Sequence, residues 1–199
     1  MLDRIMGVIS LKAPTYRQIA DDTTATGQAA MIVVIVKLIE GFFNGLVRPD
    51  LQTGAVSASI GGAIVGAIIA VIIGLIGWVV AAWVLAFVAK QFGGKTDTNE
   101  MLRVTGYVEV FSLVAVLSVL ALISPALGCI VGIIGFVAAI LRLIGYIIGV
   151  REAAEFSTGN AIITAIIAAI INFLIVVVVG GAITLTVLGA FGLAGALGR

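Results

Sequence analysis

Long apolar runs separated by short polar stretches dominate this chain. Residues 51–89, 110–141 and 156–198 carry no charged side chain at all. A transmembrane helix needs about 20 apolar residues to cross ~30 Å of hydrocarbon, so these windows must be trimmed or divided. Trimming at the polar interruptions predicts five spans, at about 28–47, 61–88, 103–123, 126–150 and 161–180. The first contains Lys37 and Glu40 and ends at Arg48-Pro49-Asp50. Between spans two and three lies QFGGKTDTNE, in which Asp97 and Glu100 have capping-box spacing, so a helix should begin near Thr98. Ser124-Pro125 marks a tight turn between spans three and four, because proline disfavours helical geometry in the residue before it. The apolar tail 181–198 has no polar loop before it and reads as an extension of span five, with a sixth span the other possibility.

A different pattern precedes the spans. Leu2, Ile5, Met6 and Ile9 fall at i, i+3, i+4 and i+7, with Asp3 and Arg4 between them. That spacing predicts an amphipathic helix over 2–11 lying at the membrane surface. Lys12-Ala13-Pro14 interrupts it, and Pro14 suits the first turn of a second short helix. The chain thus divides into an N-terminal amphipathic segment, 1–25, and a membrane domain, 26–199.

Composition sharpens the class. Hydrophobic residues make up 62% of the 199 and charged residues only 11%, against about 25% charged in an average soluble domain. The fold class is therefore all-α, a polytopic membrane helix bundle of about five transmembrane helices. There is no His, hence no His-ligated metal and no His base. The single Cys129 excludes an internal disulfide and reads as packing. A net charge of +1 gives no basic stripe for nucleic acid. No Ser-His pair, no intramembrane Asp pair and no G-x-S-x-G is present, and the Gly-Gly-Lys of the polar loop lacks the phosphate-loop spacing. No enzyme, cofactor or metal is expected.

Loop charge gives an orientation. With five spans, Arg4, Lys12, Arg17, Lys90, Lys95, Arg103 and Arg151 lie on the N-terminal side, and Arg48 and Arg199 on the other. Cytoplasmic loops carry the excess of Lys and Arg. The expectation is a cell-membrane protein with a cytoplasmic N-terminus.

Two sets of residues inside the spans invite a functional reading. The first is charged: Lys37, Glu40, Glu109 and Arg142. Lys37 and Glu40 are i, i+3 neighbours, and the depths of Glu109 and Arg142 in antiparallel spans match within a few residues. A charge at the bilayer centre costs roughly 2.5–3.5 kcal/mol, so such groups face protein or water. Glu109 is expected to pair with Arg142 first and Lys37 second; the set is either an ion path or a structural pair. Asn172 is expected to join helices. The second set is a stripe of small residues every four positions: Gly54, Ala58, Gly62, Gly66, Ala70 and Gly74, with Gly128 and Gly132, and Gly145 and Gly149, repeating the spacing in span four. Small residues let helix backbones approach closely. The stripe packs within the chain, with span four as the expected partner, or mediates self-association.

GGKTDTNEMLRVTGYVEVFSLV, LIGYIIGVREAAEFSTGNAI and IMGVISLKAPTYRQIADD together resemble the Yip1 domain family, collinearly over nearly the whole chain. The resemblance implies five spans, a cytoplasmic N-terminus and a role in membrane organisation or trafficking. The Asp-Leu-Tyr-Gly-Pro motif of the family's eukaryotic trafficking members is absent, so small-GTPase binding is not carried over. Two functions follow: a membrane-organising scaffold that binds lipid bilayer and either other membrane proteins or itself, or a small transporter or channel built on the intramembrane charges.

Overall fold

A computed structural model describes residues 1–49 and 56–197; for 48, 49, 125, 176 and 179–197 it describes the backbone alone. Among the described residues there are seven α-helices, a 3₁₀ segment and one two-stranded hairpin. Five helical stretches are long and apolar enough to cross a membrane.

The amphipathic N-terminal helix α1 covers Leu2–Ile9. It ends two residues before the expected boundary, because Leu11 adopts a left-handed φ of 54°. Lys12 N–H then reaches the Gly7 carbonyl and Leu11 N–H the Val8 carbonyl, both at 2.9 Å, a helix-closing pattern that satisfies two otherwise orphan carbonyls. Helix α2, Ala13–Asp21, carries Pro14 in its first turn. The same closing pattern recurs after the second span. Gly93, at φ +78°, lets Gly94 N–H reach the Ala89 carbonyl at 2.9 Å.

The spans are α3 (Ala25–Leu46), α4 (Ile60–Gln91), α5 (Thr98–Val108) continued by a 3₁₀ segment (Glu109–Leu122), α6 (Pro125–Ala154) and α7 (Thr158–Leu197). The start of α5 follows the sequence: Glu100 N–H donates to Asp97 Oδ1 at 2.8 Å and Asp97 N–H to Glu100 Oε2 at 3.3 Å. Ser59 and Ser124 accept bonds from the first turns of α4 and α6. The α7 backbone runs on through the apolar tail. Spans one and two are joined through β1 (Val47–Pro49) and β2 (Val56–Ala58), paired antiparallel with Val47 opposite Ala58.

One end of the bundle is tightly bound together. Arg103 Nε donates to the Ala20 carbonyl at 2.9 Å, capping the last turn of α2. Arg17 pairs with Glu155 at 2.6 Å and also donates to the Glu152 carbonyl at 2.9 Å. Lys95 N–H reaches the Ala154 carbonyl at 2.9 Å. The N-terminal helices, the loop after α4 and the loop after α6 therefore share this end, as the two crossings between each and the next require. The core gathers beneath it: Tyr16, Ile19, Met101, Val104, Tyr107 and Val150 are fully buried.

Further along, the helices turn large apolar side chains outward, among them Ile68, Ile72 and Ile76 on α4 and Phe136 and Ile140 on α6. On a water-soluble monomer so much contiguous apolar surface would drive association. Around membrane-spanning helices it is the lipid-facing surface, and the chain is a multi-pass membrane protein in a lipid environment.

Candidate functional site

All four intramembrane charges meet at the junction of α3, the start of the 3₁₀ segment and α6. Glu109 is the centre, with only 4% of its side chain exposed. Its Oε2 lies 2.9 Å from Lys37 Nζ, and its Oε1 accepts from Arg142 Nη2 and from the Tyr146 hydroxyl, the latter at 2.9 Å. Lys37 Nζ also donates to Glu40 Oε2 at 2.8 Å. The Arg142 guanidinium sits 5.6 Å from the centre of the Tyr146 ring, within cation–π range. Two cations and two carboxylates close on one another, so the group carries no net charge. Each ion alone would be costly at this depth; mutual pairing and the Tyr146 bond offset that cost.

Lys37 reaches Glu109 because of a glycine. A Cβ on Gly74 would lie 2.7 Å from Lys37 Cγ and 2.9 Å from Cδ. The missing side chain on α4 is the slot in which the lysine stem lies.

The small-residue stripe has a different partner from the one expected. Gly62 and Gly66 of α4 face Gly41 and Gly45 of α3, not span four. A Cβ on Gly45 would lie 2.1 Å from the Gly62 carbonyl oxygen, and one on Gly41 would meet both the Gly66 carbonyl oxygen and Ala70 Cβ at 2.4 Å. The reason is a second small-residue pair, Gly41 and Gly45, four apart on α3, so two smooth faces meet backbone to backbone. Ala58 does not belong to this helical face: Ser59 caps α4, leaving Ala58 exposed in β2. Gly54 lies outside the described residues. In span four, Gly128 faces Ala121 at 3.3 Å, and Gly132 has nothing within 4 Å. Gly145 faces the Tyr16 hydroxyl at 3.0 Å and Gly149 the Tyr16 ring and Val104 at 3.4 Å, so this pair receives α2 and α5 rather than span two. Asn172 donates within its own helix, to the Ala168 carbonyl at 2.9 Å.

Two grooves flank the ion cluster. One, of about 460 Å³, is lined by Lys37, Glu40, Asn44 and the α4 stripe. The other, of about 530 Å³, runs between the 3₁₀ segment and α6, with Glu40, Asn44, Arg142 and Tyr146 at its edge. Its 3₁₀ wall has a sequence signal that a search at four-residue spacing misses. Ser112, Ala115, Ser118 and Ala121 are small and recur every three residues, the spacing at which side chains of a 3₁₀ helix stand in line. Among the described residues no cluster of three or more His, Cys, Asp or Glu side chains is placed to hold a metal ion.

A Yip1 domain model matches residues 6–180. The chain belongs to the Yip1 domain family. That match takes in the second half of α1, all of α2, the ion cluster and the paired glycines of α3 and α4. No curated protein and no solved structure matches the chain. The five-span membrane bundle with its short N-terminal helix is thus the architecture of this Yip1 family protein, and Yip1 is not a known enzyme family.

Proposed function

We propose that this Yip1 family protein is a non-enzymatic scaffold of the cell membrane. Its N-terminus is cytoplasmic, and it organises the bilayer or holds other membrane proteins through its charged end. The observation that carries this reading is α1. Its inner side, with Gly7 and Val8 buried, packs on the bundle, while Leu2, Met6 and Ile9 stay exposed at i, i+4 and i+7. A helix fixed to the bundle by one side, with a second apolar row left open, is suited to lie in the lipid interface beside the spans. Arg4 and Arg17 at the same end are paired with Asp22 and Glu155, and Arg103 is buried on the Ala20 carbonyl, so the open apolar row of α1 is the surface this end offers to lipid or to a partner helix.

The ion cluster supports the scaffold reading over the transporter reading because its charges are paired with one another and pin three spans together. The test is purification from native membrane in mild detergent after in-cell crosslinking, comparing the intact protein with Leu2→Ser/Met6→Ser/Ile9→Ser. A scaffold retains a reproducible set of membrane proteins, and the triple variant loses part of it. Ion or solute flux in vesicles carrying the purified protein alone, abolished by Glu109→Gln, would establish transport instead.

A further inference from the structure

The groove between the 3₁₀ segment and α6 has a polar end and an apolar body. At the polar end stand Arg142, Glu40 and Asn44; the body is walled by small residues, Ala115 and Ser118 on one side and Gly135 and Ala139 on the other. Val131 and Tyr146 bound it along α6, 15 residues apart, which is about 22 Å at 1.5 Å per residue. Its volume of about 530 Å³ falls within the few-hundred to ~1,000 Å³ range of small-ligand sites. It is shaped for something long, thin and mostly apolar with one polar terminus.

The charge of that terminus follows from the unsatisfied groups. Among the described residues, Arg142 Nε and Ser118 Oγ are buried without a hydrogen-bond partner, and both residues line this groove. Arg142 uses Nη2 on Glu109. Glu40, the one carboxylate at the groove, is held by Lys37 at 2.8 Å. A buried guanidinium N–H without an acceptor is costly, and the partner that suits a guanidinium edge is a phosphate or carboxylate oxygen.

We propose that this groove binds an anionic phospholipid of the surrounding bilayer. One acyl chain lies along the Ser112–Ala115–Ser118 face, and a phosphate oxygen accepts from the part of the Arg142 guanidinium that is open to the groove. The site is independent of the scaffold reading: it needs only the membrane location and the groove. It also gives the long 3₁₀ stretch a role, because eclipsed small side chains make a straight, shallow wall that an α-helix of the same sequence would rotate away.

Native mass spectrometry of the full chain, released from detergent after titration with phosphatidylglycerol or phosphatidylcholine of identical chains, tests this. The expected result is retention of one phosphatidylglycerol with about tenfold preference over phosphatidylcholine, equivalent to ~1.4 kcal/mol. Gly135→Leu should abolish retention. A Cβ there meets nothing within 4 Å, so the added side chain fills the groove without disturbing the fold, and an unchanged melting temperature checks this. Arg142→Lys keeps the charge opposite Glu109 but removes the guanidinium edge, and should erase the headgroup preference while leaving the ion cluster paired. Equal retention of the two lipids by the unaltered protein, undiminished retention by Gly135→Leu, or an intact preference in Arg142→Lys would each overturn the proposal.

Discussion

Gly66 of α4 lies so close to Gly41 of α3 that a Cβ on Gly66 would stand 2.5 Å from the Gly41 carbonyl oxygen. That separation is backbone against backbone, with no side-chain end able to swing aside. In lipid, where apolar surface drives helices together no more than it drives them onto acyl chains, such close approach is a main source of association. Spans one and two are therefore joined by many weak dispersion contacts along Gly41, Gly45, Gly62, Gly66 and Ala70.

Gly66→Leu should accordingly force α3 and α4 apart. Overpacking typically costs ~1–3 kcal/mol, and the upper part of that range is expected because the obstacle is backbone. Thermal unfolding in detergent should show a lower midpoint, while light scattering shows an unchanged oligomeric state. A dimer lost with full monomer stability would instead place the stripe at a contact between copies.

Much of this arrangement is legible in the sequence. The spans follow from hydropathy because hydrocarbon thickness fixes helix length. The start of α5 follows from Asp97 and Glu100, since capping is local. The meeting of Glu109 with Arg142 and Lys37 follows from matched depth, as unpaired charge is costly in lipid. The stripe is legible as a packing face, but its partner is not. Gly41 and Gly45 sit in the span with the most charge, where a hydropathy reading sees weakness rather than a smooth surface. The row Ser112, Ala115, Ser118 and Ala121 stays hidden until the backbone is known to be 3₁₀, because its period of three is not the period being sought. The β1–β2 hairpin carries no strong signal, being three residues a side.

Glu109→Gln keeps size and removes charge. Lys37 retains Glu40, but Arg142 loses its only carboxylate among the described residues and its bond weakens. Loss of a charged hydrogen-bond partner in a buried site costs about 1.5–3 kcal/mol. The single variant should unfold at lower temperature, and Glu109→Gln/Arg142→Gln should recover part of the loss because no uncompensated guanidinium remains. Additive losses in the double variant would mean the two residues are energetically independent.

Asp22 ties α1 to the end of α2. It accepts from the Thr24 hydroxyl at 2.6 Å and pairs with Arg4 at 2.6 Å. The Thr24 hydroxyl foremost, then the Arg4 guanidinium, hold its carboxyl at about 2, below the usual 3.8. A carboxyl depressed on folding contributes stability that is complete above its unfolded value and disappears as pH falls through its folded one. Hydrogen exchange of the α1 amides should therefore be independent of pH from neutrality to about 5, after correction for intrinsic rates, and protection should fall between about 4 and 2. Asp22→Asn should remove that step and leave α1 less protected at neutral pH. A step of the same size in the variant would assign the pH dependence to another group.

Orientation can be read from cysteine accessibility in intact cells. Cys129, the single native cysteine, is exposed on α6, so Cys129→Ala provides a silent background. Lys95 lies at the end bound to α2 and α6, through its N–H on the Ala154 carbonyl, and Lys12 joins α1 to α2 at the same end. Thr53, outside the described residues, belongs to the stretch joining β1 to β2 between spans one and two. One crossing separates it from each of the other two positions. The loop charge places the Lys12 and Lys95 end in the cytoplasm, since positively charged loops resist translocation. Lys12→Cys and Lys95→Cys should then react with a membrane-impermeant maleimide only after permeabilisation, and Thr53→Cys before it. The reverse pattern would invert the protein in the membrane and leave the bundle intact. Labelling of Lys95→Cys and Thr53→Cys from the same side would contradict α4 as a crossing, and with it the five-span arrangement, because those two positions flank that helix and no other.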